Sequence, residues 1–302
     1  MTTAPVLPFG ACGGMPKSID FAKYWHEPKL DGIRLQVHLE FGTVMSFTRA
    51  SNDWTGKIAH IEAHLEQLDG LDLTVLDCEA VYLDPDTGRP DFQWTSSVML
   101  SSPENAVRKQ FDSGHALSLV VFDIQVLNGT DVRHLDIEDR RELAASITEQ
   151  HPNEYLRLMW HAEASEEQHL QYLDETGEGS VLKLKGAAYG KGWHKWKAVA
   201  DADVVVMGST PGLGKYEGKI GAIVFGQYKM LPHVNGAKPT PHLARRGQCS
   251  GMSDEVRFAY SDAWIGRVMT IEHYGVHPTE GFRTPQFKAF REDKPAEACV
   301  WD

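Results

Sequence analysis

The chain has 302 residues, which at roughly 150 residues per domain predicts two domains and excludes a single small module. Hydrophobic residues make up 42% of it and charged residues 24%, a balance that excludes a largely disordered chain. The net charge of −12 argues on its own against a nucleic-acid binder, but residues 50–178 carry −18 and residues 179–302 carry +5. The C-terminal part can therefore face a polyanion.

The sequence contains no signal for export or membrane insertion. No basic region followed by an apolar stretch opens the chain, and no apolar run approaches the ~18 residues of a membrane span. The four cysteines stand singly, without the spacings that hold zinc, at Cys12, Cys78, Cys249 and Cys299. We expect a soluble, monomeric, cytoplasmic protein without a membrane partner, in the host cytoplasm if it is virus-encoded.

Residues 1–22 are rich in Pro, Gly and small side chains, which predicts an N-terminal segment that is ordered only towards its end, near Ile19 and Phe21. From Leu35, apolar and polar residues alternate on both sides of Phe41-Gly42, which predicts a β-hairpin. Residues 52–68 have the apolar spacing of a helix. The apolar face of that helix would consist of Ile58, Ile61 and Leu65.

Four further segments are rich in β-formers and are predicted as strands: 74–83, 116–127, 179–184 and 192–199. The second of these, ALSLVVFDIQVL, is typical of a buried central strand. Residues 137–148 have the pattern of a helix, with Asp136 placed to cap its N-terminus.

After Lys197 the composition changes, and residues 204–229 read as strand, Gly-rich turn and strand. This hairpin opens an all-β segment of about 100 residues, the size of a small Greek-key barrel, so we place the domain boundary near Ala200. Residues 231–251 have no period and many turn formers, which predicts a long loop. Whether Arg245 and Arg246 in this loop contact a polyanion or solvent stays open.

The sharpest local string is EPKLDGIR at residues 27–34, where a lysine stands beside a glycine turn, an acid and an arginine. This arrangement suits an amine that must be nucleophilic beside a polyphosphate, although KxDG alone arises easily by chance. Five more strings follow in order, at residues 76–81, 119–124, 178–183, 193–197 and 291–294. Together the six strings resemble the signature motifs of the covalent nucleotidyltransferases, specifically the ATP-dependent DNA ligases.

The resemblance implies an α+β fold. A nucleotidyltransferase (ATP-grasp-like ligase) domain with antiparallel sheets and flanking helices would occupy residues 1–200, and a small all-β OB-fold barrel residues 201–302. It also implies ATP and Mg²⁺ as cofactors, with Mn²⁺ as a substitute, and nicked double-stranded DNA as the partner in replication, repair or recombination. Only 28 residues precede Lys29, too few for the nicotinamide-binding module of the NAD-dependent ligases, which favours ATP.

By the same resemblance, Lys29 is the catalytic residue that attacks the α-phosphate of ATP and holds AMP as a phosphoramidate. A free lysine amine has a pKa near 10.4, so cations must lie nearby to lower it. The candidates are Lys183, Lys195 and Lys197, in a stretch from Gly179 to Ala200 that contains no Asp or Glu. The alternative for this stretch is a solvated basic strand.

The resemblance assigns two acidic residues to metal or ribose. Glu79 would contact the ribose or a metal ion, and Glu178 would help to hold Mg²⁺, which prefers hard oxygen ligands. The alternative for each is a carboxylate paired with a neighbouring Lys or Arg.

Phe122 would stack on the adenine ring, although periodicity alone favours a core aromatic. Glu27 would read the adenine amino group. Arg34 and Arg49 would hold ribose and phosphate, because the guanidinium fork binds phosphate oxygens in pairs; the alternative is a solvated charge at a strand edge.

Arg291, Asp293 and Lys294 match the C-terminal motif, which in the family swings over the active site with the barrel and orients the pyrophosphate leaving group. A hinge at residues 197–203 would permit this movement. The alternative for these residues is a charged, solvated tail. Three other functions stay open: an mRNA-capping guanylyltransferase, an RNA ligase, and an inactive relative that only binds nucleic acid.

Overall fold

The computed structural model describes residues 6–68, 70–230, 241–276 and 281–301. The chain divides into two compact units, Met1–Lys197 (unit 1) and Ala198–Asp302 (unit 2). Among the described residues, no helix combines the length and the apolar character needed to cross a membrane.

Unit 1 combines short and long strands with five α-helices among its described residues. The strands are β1 (Gly13–Gly14), β2 (Tyr24–Pro28), β3 (Ile33–Glu40), β4 (Thr43–Thr48), β5 (Thr74–Val81), β6 (Ser118–Leu127), β7 (Thr130–Asp131), β8 (Leu156–Leu158), β9 (Ala162–Glu163), β10 (Gly179–Leu184) and β11 (Trp193–Lys197). The helices are α1 (Ala59–Leu65), α2 (Phe92–Met99), α3 (Pro103–Ser113), α4 (Ile137–Gln150) and α5 (Glu166–Thr176).

These strands form two sheets. Sheet A has the order β1-β11-β10-β2-β9, and sheet B has the order β4-β3-β5-β6-β7, with β8 also paired to β6. Both sheets are antiparallel except for the β1–β11 and β6–β8 pairs. The predicted α+β class with antiparallel sheets is therefore confirmed.

The predicted hairpin is confirmed as β3 and β4, joined by Phe41 and Gly42. Both turn residues have positive φ angles, of 50° and 74°, as a two-residue type I′ connection requires. The alternation that predicted the hairpin also directs Leu35 and Val37 into the main core, where both are fully buried.

The main core of unit 1 packs helices against sheet B. The predicted apolar face of α1 is confirmed, because Ile58, Ile61 and Leu65 are all buried in this core. The helix itself is shorter than the predicted 52–68, since Gly56 has a φ of +82°, which an α-helix does not accommodate.

The helix predicted at 137–148 is confirmed as α4, but the capping role predicted for Asp136 is wrong. Asp136 occupies the N-cap position, yet its side chain accepts no hydrogen bond from the first turn. Its backbone carbonyl instead accepts from Arg140, while serine side chains cap α3 and α5 through Ser102 and Ser165.

Five antiparallel strands form the sheet of unit 2 among its described residues. They are β12 (Ala200–Pro211), β13 (Ile220–Met230), β14 (Pro241–Cys249), β15 (Val268–His273) and β16 (Gln286–Arg291), and a short helix, α6 (Asp254–Ala259), follows β14. The strand order is β14-β13-β12-β15-β16. The expected closed barrel is not observed in the described part of the chain, because β14 and β16 are not paired there; one isolated bridge joins Ser250, just after β14, to Gln286 of β16.

The prediction of a loop at 231–251 is wrong for residues 241–249. Residues 241–249 form β14, which pairs with β13 along its whole length, and residues 231–240 lie outside the described residues. The alternation was hidden because an inward-facing position is a charge: Arg246 is buried, with its guanidinium 3.9 Å from the ring centre of Trp301. Arg245 points to solvent.

Glu62 provides a test of this packing. It is buried on α1, where its carboxylate accepts hydrogen bonds from Ser46 Oγ (3.1 Å) and the Gly56 N–H (2.8 Å). Burial raises the pKa of Glu62 to about 7, so ionisation costs stability as pH rises from about 4.5 through 7.

Glu62→Gln removes the charge, while its amide oxygen can accept from the Gly56 N–H and its NH2 group can donate to the Ser46 hydroxyl. We expect it to raise the free energy of unfolding by about 1–3 kcal/mol at pH 8 and to have little effect at pH 4.5. Urea unfolding at the two pH values measures the difference. An equal effect at both would contradict the burial of an ionised carboxylate.

Candidate functional site

A pocket of about 270 Å³ in unit 1 brings together eight of the residues singled out in the sequence. They are Glu27, Lys29, Arg34, Arg49, Glu79, Phe122, Lys183 and Lys195. Strands of both sheets contribute to its lining. Six further residues complete the lining: Cys12, Pro28, Leu30, Met159, Val181 and Trp193.

Strand alternation explains how one sheet supplies both core and pocket. Arg34 on β3 stands opposite Glu79 on β5, and both line the pocket. The next pair, Leu35 and Cys78, points to the other face and is fully buried in the helix-covered core. The polar positions of these strands therefore mark the side that faces the pocket.

Lys29 follows β2 directly and is held by its backbone, since its N–H donates to Gly179 O (2.9 Å). Its Nζ lies 3.1 Å from Glu178 Oε1, and Lys197 Nζ lies 2.6 Å from the same oxygen. Burial alone would raise the pKa of Glu178, but the two ammonium groups outweigh it and hold that pKa below its usual value. Glu178 therefore fixes the position of the Lys29 ammonium group and balances its positive charge.

Two glycines permit this close packing. A side chain on Gly32, the glycine of the KxDG string, would meet Ala80 O at 2.5 Å and Glu79 Cγ at 2.9 Å. Gly179 follows Glu178 with a φ of +119°, and a side chain there would collide with the Trp196 carbonyl. Both glycines are needed because another backbone passes within contact distance.

Glu27 is the most tightly held acid of the pocket. Arg141 Nη1 donates to its Oε1 (2.9 Å), and Lys183 Nζ contacts its Oε2 (2.8 Å). Lys183 also donates to the carbonyl of Phe122 (2.8 Å) and is almost fully buried. Lys183 thus neutralises Glu27, whereas the cation next to Lys29 through Glu178 is Lys197.

Arg34 is held in a hydrogen-bond network that the sequence did not predict, either as a phosphate contact or as a solvated charge. It makes a two-point pair with Asp77, with Nε–Oδ1 at 2.9 Å and Nη2–Oδ2 at 2.6 Å, and Nη1 donates to Gly10 O (3.0 Å). Tyr189 joins through its hydroxyl, which bonds to Asp77 and accepts from the Gly10 N–H. Burial alone would lower the pKa of Arg34, but the pairing with Asp77 raises it. Through its bond to Gly10 O, the Arg34 guanidinium also anchors residues 6–14, hereafter the arm.

Phe122 lies at a β-bulge of β6 and lines the pocket. The pairing of β5 with β6 shifts between Asp77 and Cys78 and skips Phe122. Its ring packs in the same cluster as Val120, two residues earlier, as the alternation of the strand predicts. Its ring centre lies 6.2 Å from that of Trp193, with the planes at 77°. Together with Met159, these rings provide a slot for a flat, apolar group.

Glu79 is half-buried, and burial raises its pKa to about 7, although Lys29 and Arg34 oppose the shift. It is therefore partly protonated near neutral pH. No cluster of three or more His, Cys, Asp or Glu suited to a metal ion occurs among the described residues. Glu79 and Glu178 fit a Mg²⁺ ion that takes its remaining ligands from phosphate and water, because such ions need only one or two carboxylates.

The C-terminal candidates lie in unit 2. Arg291 pairs with Asp293 through Nε and Nη2, both at 2.8 Å. Arg291 and Lys294 also meet at Asp203, which the sequence analysis did not single out. These residues form an ordered charge cluster on the sheet rather than a solvated tail.

Sequence reasoning missed several residues of the site, notably Arg141, Asp77 and Tyr189. A signal existed for Arg141, because helical spacing from Ile137 puts it on the buried face of α4, where a charge requires a partner. Asp77 and Tyr189 carried no such signal.

The pocket therefore combines an apolar slot with five cationic and two acidic side chains. A net positive charge beside an aromatic slot suits a nucleotide, whose base is flat and whose phosphates are anionic. The Lys29 amine lies within this pocket, 3.1 Å from the Glu178 carboxylate.

The fold is shared with DNA ligases. A solved Lig E DNA ligase matches 95% of this chain and 100% of its own with a TM-score of 0.70 and 22% identity. The ligase domain of M. tuberculosis LigD matches 93% of both chains with a TM-score of 0.51 and 22% identity. Residues 16–198 match the ATP dependent DNA ligase domain, so the chain belongs to that family.

Curated relatives are longer than the matched region. Multifunctional non-homologous end joining protein LigD of Pseudomonas aeruginosa is 32% identical over 210 residues, which are 67% of this chain and 23% of that protein. A probable DNA ligase of Streptomyces coelicolor is 35% identical over 211 residues, 66% of this chain and 40% of that protein. The matches thus span less than half the length of these relatives.

Arg141 tests the electrostatics of the pocket. Arg141→Met would leave the buried Glu27 with one cation and the Met159 carbonyl without its donor at 2.6 Å. We expect a loss of about 3 kcal/mol in the free energy of unfolding, measured in urea. The matched control is Arg133→Met, which breaks the more exposed pair with Asp131 and should cost less than about 1 kcal/mol. Equal losses would show that the Glu27 pair contributes nothing particular.

Proposed function

We propose that this chain is an ATP-dependent DNA ligase that seals nicks in double-stranded DNA through a covalent lysine–AMP intermediate, acting as a monomer. Unit 1 would be the adenylation domain and unit 2 the OB-fold domain. The observation that carries the proposal is the position of Lys29, held beside Glu178 in a pocket with an apolar slot and an excess of cations. Membership of the ligase family supports it.

In the first step, the Lys29 Nζ attacks the α-phosphate of ATP, a P–N bond forms, and the bond to pyrophosphate breaks. Glu178 orients the amine, and Phe122 and Trp193 enclose the adenine ring. Glu27, fixed by Arg141 and Lys183, borders the base. Positioning and charge provide most of the catalysis in such in-line displacements.

The phosphates require positive charge around them. Lys195 and Arg49 line the pocket on exposed positions and are suited to bind phosphate oxygens. Glu79 and Glu178 would hold Mg²⁺, which supplies neutralisation of the phosphate charge when bound.

The remaining steps transfer AMP to the 5′-phosphate at the nick and join the 3′-hydroxyl to that phosphate, with release of AMP. Lys29 is regenerated when its P–N bond breaks. Arg291, Asp293 and Lys294 would orient the pyrophosphate in the first step. DNA would be bound mainly through its phosphates.

Lys29→Ala should abolish the covalent adduct, because Lys197, the second amine paired with Glu178, does not line the pocket and cannot replace Lys29 as the nucleophile. The assay incubates the protein with Mg²⁺ and α-labelled ATP or GTP, separates it under denaturing conditions, and chases with nicked DNA or RNA. Lys191→Ala, an exposed lysine outside the pocket, is the control and should retain the adduct. An adduct from GTP, or none from ATP in the wild type, would contradict the proposal.

Sealing should also depend steeply on salt, since phosphate contacts release counterions. We expect the sealing rate at limiting nicked DNA to fall by more than about tenfold between 50 and 200 mM salt. Adenylation without DNA is the control and should change far less. A sealing rate that does not change with salt would contradict DNA binding through the phosphate backbone.

A further inference from the structure

Asp203 is the meeting point of a charge cluster in unit 2. Arg291 Nη1 lies 3.2 Å and Lys294 Nζ 2.9 Å from Asp203 Oδ2. One carboxylate oxygen thus binds two cations that come from the same short C-terminal string. Two positive groups at this separation repel each other, and the shared anion is what keeps them together.

Asp203 is itself rigidly placed. It lies within β12, opposite Thr270 of β15, and the Thr270 hydroxyl donates to its other oxygen, Oδ1, at 2.6 Å. Its backbone carbonyl accepts from Gln227 of β13 (3.1 Å). The side chain is only 13% exposed, whereas Arg291 and Lys294 are 38% and 29% exposed. The anion is therefore part of the sheet, and the cations extend from it towards solvent.

The bonds to Arg291 also determine its direction. Asp293 takes Nε and Nη2, and Asp203 takes Nη1, so two carboxylates fix the plane of the guanidinium. These bonds use three of its five N–H donors. An oriented guanidinium with a lysine beside it presents paired donors to an anion.

We propose that Asp203 is a positioning residue, which holds Arg291 and Lys294 at a fixed spacing to meet the leaving pyrophosphate during adenylation. This inference rests on the proposed function. It assigns no direct contact with ATP to Asp203. The step that uses pyrophosphate should therefore depend on Asp203, and the step that joins DNA should not.

The chain offers a matched control two residues away. Asp201 lies on the same strand and pairs with Lys288 of β16, with the shorter distance 2.7 Å. Asp201→Asn removes the same charge from β12 without touching Arg291 or Lys294. Any difference between the two variants reports on the shared pairing and not on the general charge of the sheet.

The experiment compares wild type, Asp203→Asn, Asp203→Glu and Asp201→Asn in the full chain. Three rates are measured: single-turnover adduct formation from labelled ATP, discharge of the adduct by added pyrophosphate, and sealing of a nick that already carries AMP. We expect Asp203→Asn to slow the first two at least tenfold and to leave the third within twofold. Asp203→Glu should recover part of the loss, and Asp201→Asn should match wild type throughout.

Four outcomes would overturn the inference. Asp203→Asn could match Asp201→Asn, it could lose all three activities alike together with a lowered melting temperature, or it could adenylate faster than wild type. The last would show that the carboxylate competes with phosphate. A wild type that forms no adduct would instead defeat the proposed function and the inference with it.

Discussion

Three carboxylates hold the cations of the pocket in place: Asp77 binds Arg34, Glu27 binds Lys183, and Glu178 binds Lys29. Without these anions, the cations that suit the site to a nucleotide would repel one another in a partly buried space, where water screens charge poorly. The geometry of the pocket follows from this pairing, since each carboxylate is fixed to a strand or to the turn that enters one. The cations left less constrained are the exposed ones.

Unit 2 uses the same physical device at its surface, where Asp203 joins two cations of one string. The two units thus contribute different chemistry. Unit 1 contains the apolar slot and the lysine held by an acid, and unit 2 contains a guanidinium oriented by two carboxylates. Five of the six ligase-like strings lie in unit 1, which the family match at residues 16–198 covers almost entirely from residue 16 on, and the sixth lies in unit 2.

Regular alternation made the hairpin of β3 and β4 predictable, and motif order made most of the pocket lining predictable. Prediction failed where a local feature overrode the period. The buried Arg246 interrupts the apolar pattern of β14, and the strand was therefore predicted as a loop. Arg141 pairs with Glu27, which lies more than 100 residues away in the chain. Local composition does not predict pairing at that separation.

The arm is bound at Gly10 and at its C-terminal end by residues that are synthesised much later. Gly10 bonds to Tyr189 across 179 residues, and β1 pairs with β11, while Cys12 between them lines the pocket. A ribosome that adds roughly 5–20 residues per second releases the arm about ten to forty seconds before these partners exist. The arm therefore cannot form these contacts until β11 has been synthesised. A nascent chain consequently has no complete wall around Lys29, and the pocket is completed late in synthesis, in one of the last events of unit 1 folding.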